Sequence, residues 1–187
     1  DLSSIRTLPR LLECAFVCNN AKLEKTSSGY HIIGDPTEGA LVTLAKKSKI
    51  SGIHRRIFHN PFESIRKRMS VVVKEKDNEK KIAYVKGATL EILSRSKSIY
   101  SDGLFKNLDD LQVRKIKENM DSFAADGLRV LALAYRDDDE LQGLSQYSVE
   151  NVEKDLIFLG LVAMSDPVRP AVPSAIESSH KAGIRVI

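Results

Sequence analysis

The chain predicts an α+β protein, an antiparallel β-sheet flanked by helices. Strand-like stretches outnumber what a simple alternating βα pattern supplies, and hairpin turn signals recur between them. There is no internal repeat and no low-complexity tract. The 187 residues are 42% hydrophobic and 29% charged, which is ordinary globular composition and enough for one good core plus part of a second domain.

The elements follow in order. Leu8 to Ala21 reads as a helix, with Leu11, Leu12, Ala15, Phe16 and Cys18 as its apolar stripe and Asn19-Asn20 as its end. Cys14 and Cys18 lie four apart on it. No second pair and no nearby histidine completes a metal site, so they read as buried structural thiols of a reducing compartment. Ser27-Ser28-Gly29 is a turn and Tyr30 to Ile33 a short strand. Asp35 suits a cap and Pro36 the first turn of the next helix, with Ala40, Leu41, Leu44 and Ala45 inward and Lys46, Lys47 and Lys49 near its C-terminal end. Ile53 to Phe58 and Met69 to Lys74 are strands around a turn at Asn60-Pro61. Asp77-Asn78 is a hairpin turn leading to the strand Lys81 to Val85. Leu90 to Ser98 is a short helix, Asp102-Gly103 a turn, and Leu108 to Ala125 a longer helix carrying Leu111, Ile116, Met120 and Phe123, stopped by Asp126-Gly127. Val130 to Tyr135 is a central strand by its apolar continuity. Arg136 to Glu140 is a solvated acidic loop, not a metal site. Leu156 to Met164 is an apolar strand broken by Asp166-Pro167, Val172 to Ala182 a helix, and Gly183 to Ile187 the start of a strand cut short.

The net charge of +4 is compatible with a polyphosphate ligand and too modest to argue for nucleic acid. No run approaches the roughly 18 apolar residues of a membrane span, so this chain does not cross a bilayer itself. The start DLSSIRTLPR lacks both a signal-peptide pattern and an initiator Met, and reads as a segment of a longer chain.

Two stretches carry chemistry. Phe62 precedes three consecutive cations, Arg66, Lys67 and Arg68, beside a turn between strands. An aromatic face can stack on a base, and guanidinium and ammonium groups can meet phosphate charge. The same residues equally suit a core aromatic and a solvated basic face. Downstream, Lys86-Gly87-Ala88 ends a strand and opens a helix near Thr89. Glycine lets a ligand approach the backbone, and the helix start favours anions, although Thr89 also serves as a plain cap.

With three further segments, these resemble the nucleotide-binding domain of P-type cation-transporting ATPases, in particular the calcium-pump-like group. Gly34 to Leu41 (GDPTEGAL) is similar to the family's acidic segment, Gly127 to Ala134 (GLRVLALA) to its LR-x-LA-LA strand, and Asp166 to Pro170 (DPVRP) to its DPPR hinge. Five segments in family order span nearly the whole chain. The resemblance implies a twisted antiparallel sheet with flanking helices over residues 1–165. Residues 166–187 would be the hinge and the partial start of the α/β phosphorylation domain.

The resemblance also implies roles. Phe62 stacks on adenine, Lys86 with Gly87 lies deep in the pocket, Glu38 accepts from the base, and Arg129 lies near the phosphates. Of the triplet, Lys67 is the member expected to approach the phosphates while Arg66 and Arg68 do structural work, and Asp166 with Arg169 belongs to the hinge. The family forms an aspartyl phosphate from ATP, with Mg²⁺ in the full-length enzyme, on a DKTGT motif that is absent here together with TGD and GDG-x-ND. The segment therefore holds no catalytic residue. It is expected to be inactive alone, to bind ATP, to work with the phosphorylation and actuator domains of its parent chain, and to be a monomer in the cytoplasm. Thr89 replaces the proline usual after KGA, and Ser64 stands where many calcium pumps have an arginine. The His-Pro motif of heavy-metal pumps is absent. The alternatives are a basic nucleic-acid-binding module and a ligand-free interaction domain.

Overall fold

A computed structural model describes residues 5–27, 29–48, 54–75, 79–101, 103–166, 168–169 and 171–186, with only the backbone for His54. Ser28, Lys49, Ile53, Asp77-Asn78, Asp102, Pro167, Pro170 and Ile187, all given parts above, lie outside the described residues.

Seven strands form the main sheet: β3 (His54–Glu63), β4 (Arg68–Glu75), β5 (Lys81–Gly87), β6 (Ser96–Ser101), β7 (Leu104–Asn107), β8 (Arg129–Arg136) and β9 (Leu156–Met164). Their spatial order is β3-β4-β5-β8-β9-β6-β7. Every pairing in it is antiparallel except β6 with β9. The sheet is thus mixed at one place, because β9 fills the gap between β8 and β6 and can oppose only one of them. A separate hairpin joins β1 (Lys22–Thr26) to β2 (Gly29–Ile33).

Helices cover both faces, and the strand residues sort between them with period two. Met69, Val71 and Val73 of β4, Ile82 and Tyr84 of β5, and Leu133 and Tyr135 of β8 pack with Cys14, Cys18 and Leu41, the last three from the helical layer on that face. Here α1 is Leu8–Val17 and α2 is Pro36–Lys47. On the opposite face, Val85, Ala132 and Ala134 pack with Ile92 of α3 (Thr89–Leu93) and Ile116 of α4 (Asp110–Ala125). Val72 and Ala83 of that face meet Leu141 of α5 (Asp139–Gly143) and Val152 of α6 (Val149–Val152). Burial on both faces explains the unbroken apolar runs of β4, β5 and β8.

Several elements differ from expectation. The inward face of α2 is Gly39, Leu41, Val42 and Ala45, while Leu44 is exposed. The helix expected to reach Ser98 stops at Leu93, and β6 begins at Ser96. Leu111 of α4 points outward. The acidic run is not a solvated loop. Asp138 caps α5 by accepting from the Leu141 N–H at 2.9 Å. The fully buried Arg136 donates to Asp138 and Glu140 at 2.7 Å each and to the Asn151 carbonyl at 2.7 Å. A buried guanidinium needs this many acceptors. Ile184 to Val186 form no regular strand, and α7 (Val172–Lys181) has no buried residue.

Cys14 and Cys18 are free and buried. Burial pushes both thiols up, Cys18 to about 12, which leaves them protonated and inert near neutrality.

Candidate nucleotide-binding site

The β4, β5 and β8 register places Met69 beside Lys86 and Lys86 beside Leu133. By alternation, Met69, Lys86, Leu131 and Arg129 all face the α1/α2 side, at the sheet end where α2 begins. There the sheet, α2 and the end of β3 enclose a cavity of about 400 Å³. Asn20, Asp35, Thr37 and Glu38 line one wall, Pro61 and Phe62 another, and Met69, Lys86, Gly87, Arg129 and Leu131 the floor.

Glu38 sits in the first turn of α2. Asp35 caps that helix, its carboxylate accepting from the Glu38 N–H at 3.1 Å. Burial works to raise the Asp35 carboxyl, but hydrogen bonds from Glu38 and Thr37 and the charge of Arg129 hold it below its ordinary range. Glu38 Oε1 accepts from Lys86 Nζ at 2.9 Å. Its Oε2 accepts the Asn20 and Ala21 N–H groups at 3.0 and 3.2 Å. Asn19 completes the joint, donating to the Glu38 carbonyl at 2.9 Å and the Ala15 carbonyl at 3.1 Å. The side chains of Lys86 and Glu38 are 6% and 14% exposed, so this is a desolvated ion pair.

Phe62 is the reverse case, with its residue 58% exposed although Asn60, two positions earlier, is buried. The irregularity in β3 between Asn60 and Glu63 turns the ring out of the sheet and over the cavity. Gly87 is required by a close approach. A Cβ there would lie 2.5 Å from the Lys67 carbonyl oxygen and 2.6 Å from Arg68 Cβ. Arg129 opens β8 and borders both this cavity and a neighbouring one of about 410 Å³, where Asp35, Thr37 and Asp166 meet it.

Glu38, Phe62, Lys86, Gly87 and Arg129 are therefore brought together, and Asp166 lies next door across Arg129. Lys67 and Arg169 line neither cavity. Lys67 is exposed in the left-handed region, φ 50°, where its N–H donates to the Glu63 carbonyl at 2.7 Å and its own carbonyl accepts from Ala88 at 2.9 Å. Arg66 and Arg68 point the other way, into the buried carboxylate of Glu153. Burial opposes the charge of Arg66, but its bonds to Glu153 and Glu63 outweigh this and hold its pKa above the ordinary value. Asn20, Thr37, Met69 and Leu131 also line the site. Alternation from Arg129 within the GLRVLALA segment finds Leu131, and Thr37 lies within the GDPTEGAL segment. Met69 is reached only through the cross-strand register with Lys86, and Asn20 has no signal.

His59 stands beside the wall, its Nε2 3.4 Å from Asn20 Nδ2. Burial first, then the charge of Arg56, holds its pKa below the ordinary value, with Glu38 opposing and Lys86 assisting. The unfolded chain therefore takes the proton more readily. Stability from neutral His59 is present above its unfolded value of about 6.5 and is lost as pH falls through the lower folded value. The drop in urea midpoint from about pH 7 to pH 5 should be smaller in His59→Gln than in the parent. An equal drop would contradict this assignment.

The family model described as "P-type ATPase, cytoplasmic domain N" matches residues 7–171. The chain belongs to this family, the N domains of P-type ATPases. Among relatives, it is 37% identical to a calcium-transporting ATPase of Bacillus subtilis, over 97% of this chain and 21% of the relative. It is 35% identical to the cation-transporting ATPase pma1 of a Synechocystis species, over 95% of this chain and 20% of the relative. It is 30% identical to an endoplasmic reticulum-type calcium-transporting ATPase of Arabidopsis thaliana, over 96% of this chain and 21% of the relative. The chain thus spans about a fifth of the length of these relatives. No described helix is long and apolar enough to cross a membrane.

Proposed function

We propose that this chain binds ATP for an ion-transporting P-type ATPase. The carrying observation is the exposed Phe62 ring on the same cavity as the desolvated Lys86–Glu38 pair and Arg129. Adenine stacks on Phe62, the Lys86 ammonium meets a ring nitrogen, and Arg129 draws the phosphates toward the cavity shared with Asp166. Lys67 assists only where the phosphate tail leaves the cavity. Glu38 has three of its acceptor positions filled by Lys86, Asn20 and Ala21, so its first task is to hold Lys86, and only its remaining lone pair is free for an exocyclic amine.

The donor set suits a nucleoside polyphosphate: one aromatic face, one buried ammonium and one exposed guanidinium. Mg²⁺ would neutralise the phosphates in the whole enzyme. The chain's own contribution is positional: it holds ATP so that an aspartate of another domain attacks the γ-phosphate as if intramolecularly. Residues 1–165 form the binding unit. Residues 166–187 return toward the phosphorylation domain, which the exposed α7 supports. The nucleic-acid alternative loses its motive, because Arg66 and Arg68 are committed to Glu153.

The test is ATP titration of the ¹⁵N-labelled chain. Amide shifts should concentrate at Phe62, Lys86 and Arg129, without ATP turnover above background. No response at millimolar ATP would overturn the reading.

A further inference from the structure

We infer that Glu153 is a positioning residue for the Phe62 ring, acting through Arg66; the inference rests on the nucleotide reading above. Glu153 follows α6, more than 80 residues from the turn it serves, and its side chain is 0% exposed. Arg66 Nη1 donates to both of its oxygens at 2.8 Å, Arg68 Nε to Oε2 at 2.6 Å and Ser70 Oγ to Oε1 at 2.8 Å. From that anchor Arg66 reaches back. Its Nη2 donates to the Pro61 carbonyl at 2.6 Å and its Nε to Glu63 Oε2 at 3.1 Å.

Pro61 and Glu63 are the residues on either side of Phe62. One rigid guanidinium, itself fixed on a buried carboxylate, therefore grips the backbone before the ring and the side chain after it. Phe62 as a residue is more than half exposed, so packing around it does little to set the direction of its ring. The same turn is tied to the residue just past the cavity floor, because the Lys67 carbonyl accepts from the Ala88 N–H at 2.9 Å. Arg68 adds a second strut, its Nη1 donating to the Arg66 carbonyl at 3.0 Å and to Glu91 at 3.2 Å. Fixing a stacking surface in advance removes ordering cost from binding.

A double-mutant cycle on the 187-residue chain tests this, with Kd for ATP and for inorganic triphosphate measured by calorimetry. Arg66→Ala leaves Glu153 bonded to Arg68 and Ser70, so it should fold. It should weaken ATP by about 3- to 30-fold and triphosphate by less than about twofold. Arg66→Lys keeps the charge but cannot span three acceptors, and should not rescue. In a Phe62→Ala background, Arg66→Ala should have no further effect on ATP. Glu153→Gln should weaken ATP like Arg66→Ala; if it does not fold, the Arg66 cycle decides alone. Additive losses, full rescue by Lys, or equal losses for triphosphate would overturn the inference while ATP binding stands. An unsubstituted chain that ignores ATP would overturn the nucleotide reading and this inference together.

Discussion

Replacing Lys86 with Met should cost about 3–5 kcal/mol of folding stability, the range for removing one partner of a buried ion pair. Lys86 and Glu38 are 6% and 14% exposed at the side chain, and their 2.9 Å bond joins β5 to α2. Without the ammonium, Glu38 keeps the Asn20 and Ala21 N–H groups but holds an uncompensated charge against the apolar floor of Met69 and Leu131. Local opening to water then relieves it. Adding Glu38→Gln to Lys86→Met should recover most of the loss, because a neutral, similarly shaped pair has no charge to desolvate. Urea denaturation with an unchanged m-value is the measurement. The double variant should fold well yet bind ATP poorly, since the proposed donor for the base is gone. A single-variant loss below about 0.5 kcal/mol would show that the pair is solvated and not part of a built site.

That pair also shows how much of the site is legible in sequence. Nothing local links Glu38 to Lys86. They meet because β5 alternation turns Lys86 to the α1/α2 face and the Asp35 cap starts α2 over it. The five-segment resemblance supplies the partners that spacing cannot. It also names Lys67, which the turn holds at φ 50° and which does not line the cavity. The basic triplet reads as one surface feature, but its outer members are drawn inward by Glu153, which no local pattern announces.

The fold divides in the same way. β4, β5, β8 and β9 are legible as apolar runs, since two covered faces demand them. β1, β6 and β7 are not, because most of their residues are polar or exposed and their pairing partners are distant or equally unmarked, with only Ile99 and Tyr100 of β6 packing on the core. The acidic stretch from Asp137 reads as solvated until Arg136 is seen buried beneath it. Where tertiary partners decide the state, propensity is silent.

Phe62→Ala should separate binding from folding most cleanly. The residue is 58% exposed, so truncation removes little buried area, and stability should change by no more than about 0.5 kcal/mol. Base–aromatic stacking contributes about 1–3 kcal/mol, so the ATP Kd should rise by roughly 5- to 150-fold. Inorganic triphosphate, which under the proposed reading meets Arg129 and not the ring, should bind the variant as it binds the parent. Phe62→Trp retains a π-face and should keep most of the affinity, whereas Phe62→Leu retains bulk alone and should not. This ordering distinguishes a stacking platform from a merely apolar wall. If Leu and Trp behave alike, the ring contributes burial and nothing directional. If Ala binds ATP as tightly as the parent, the cavity beside Lys86 is not where adenine sits.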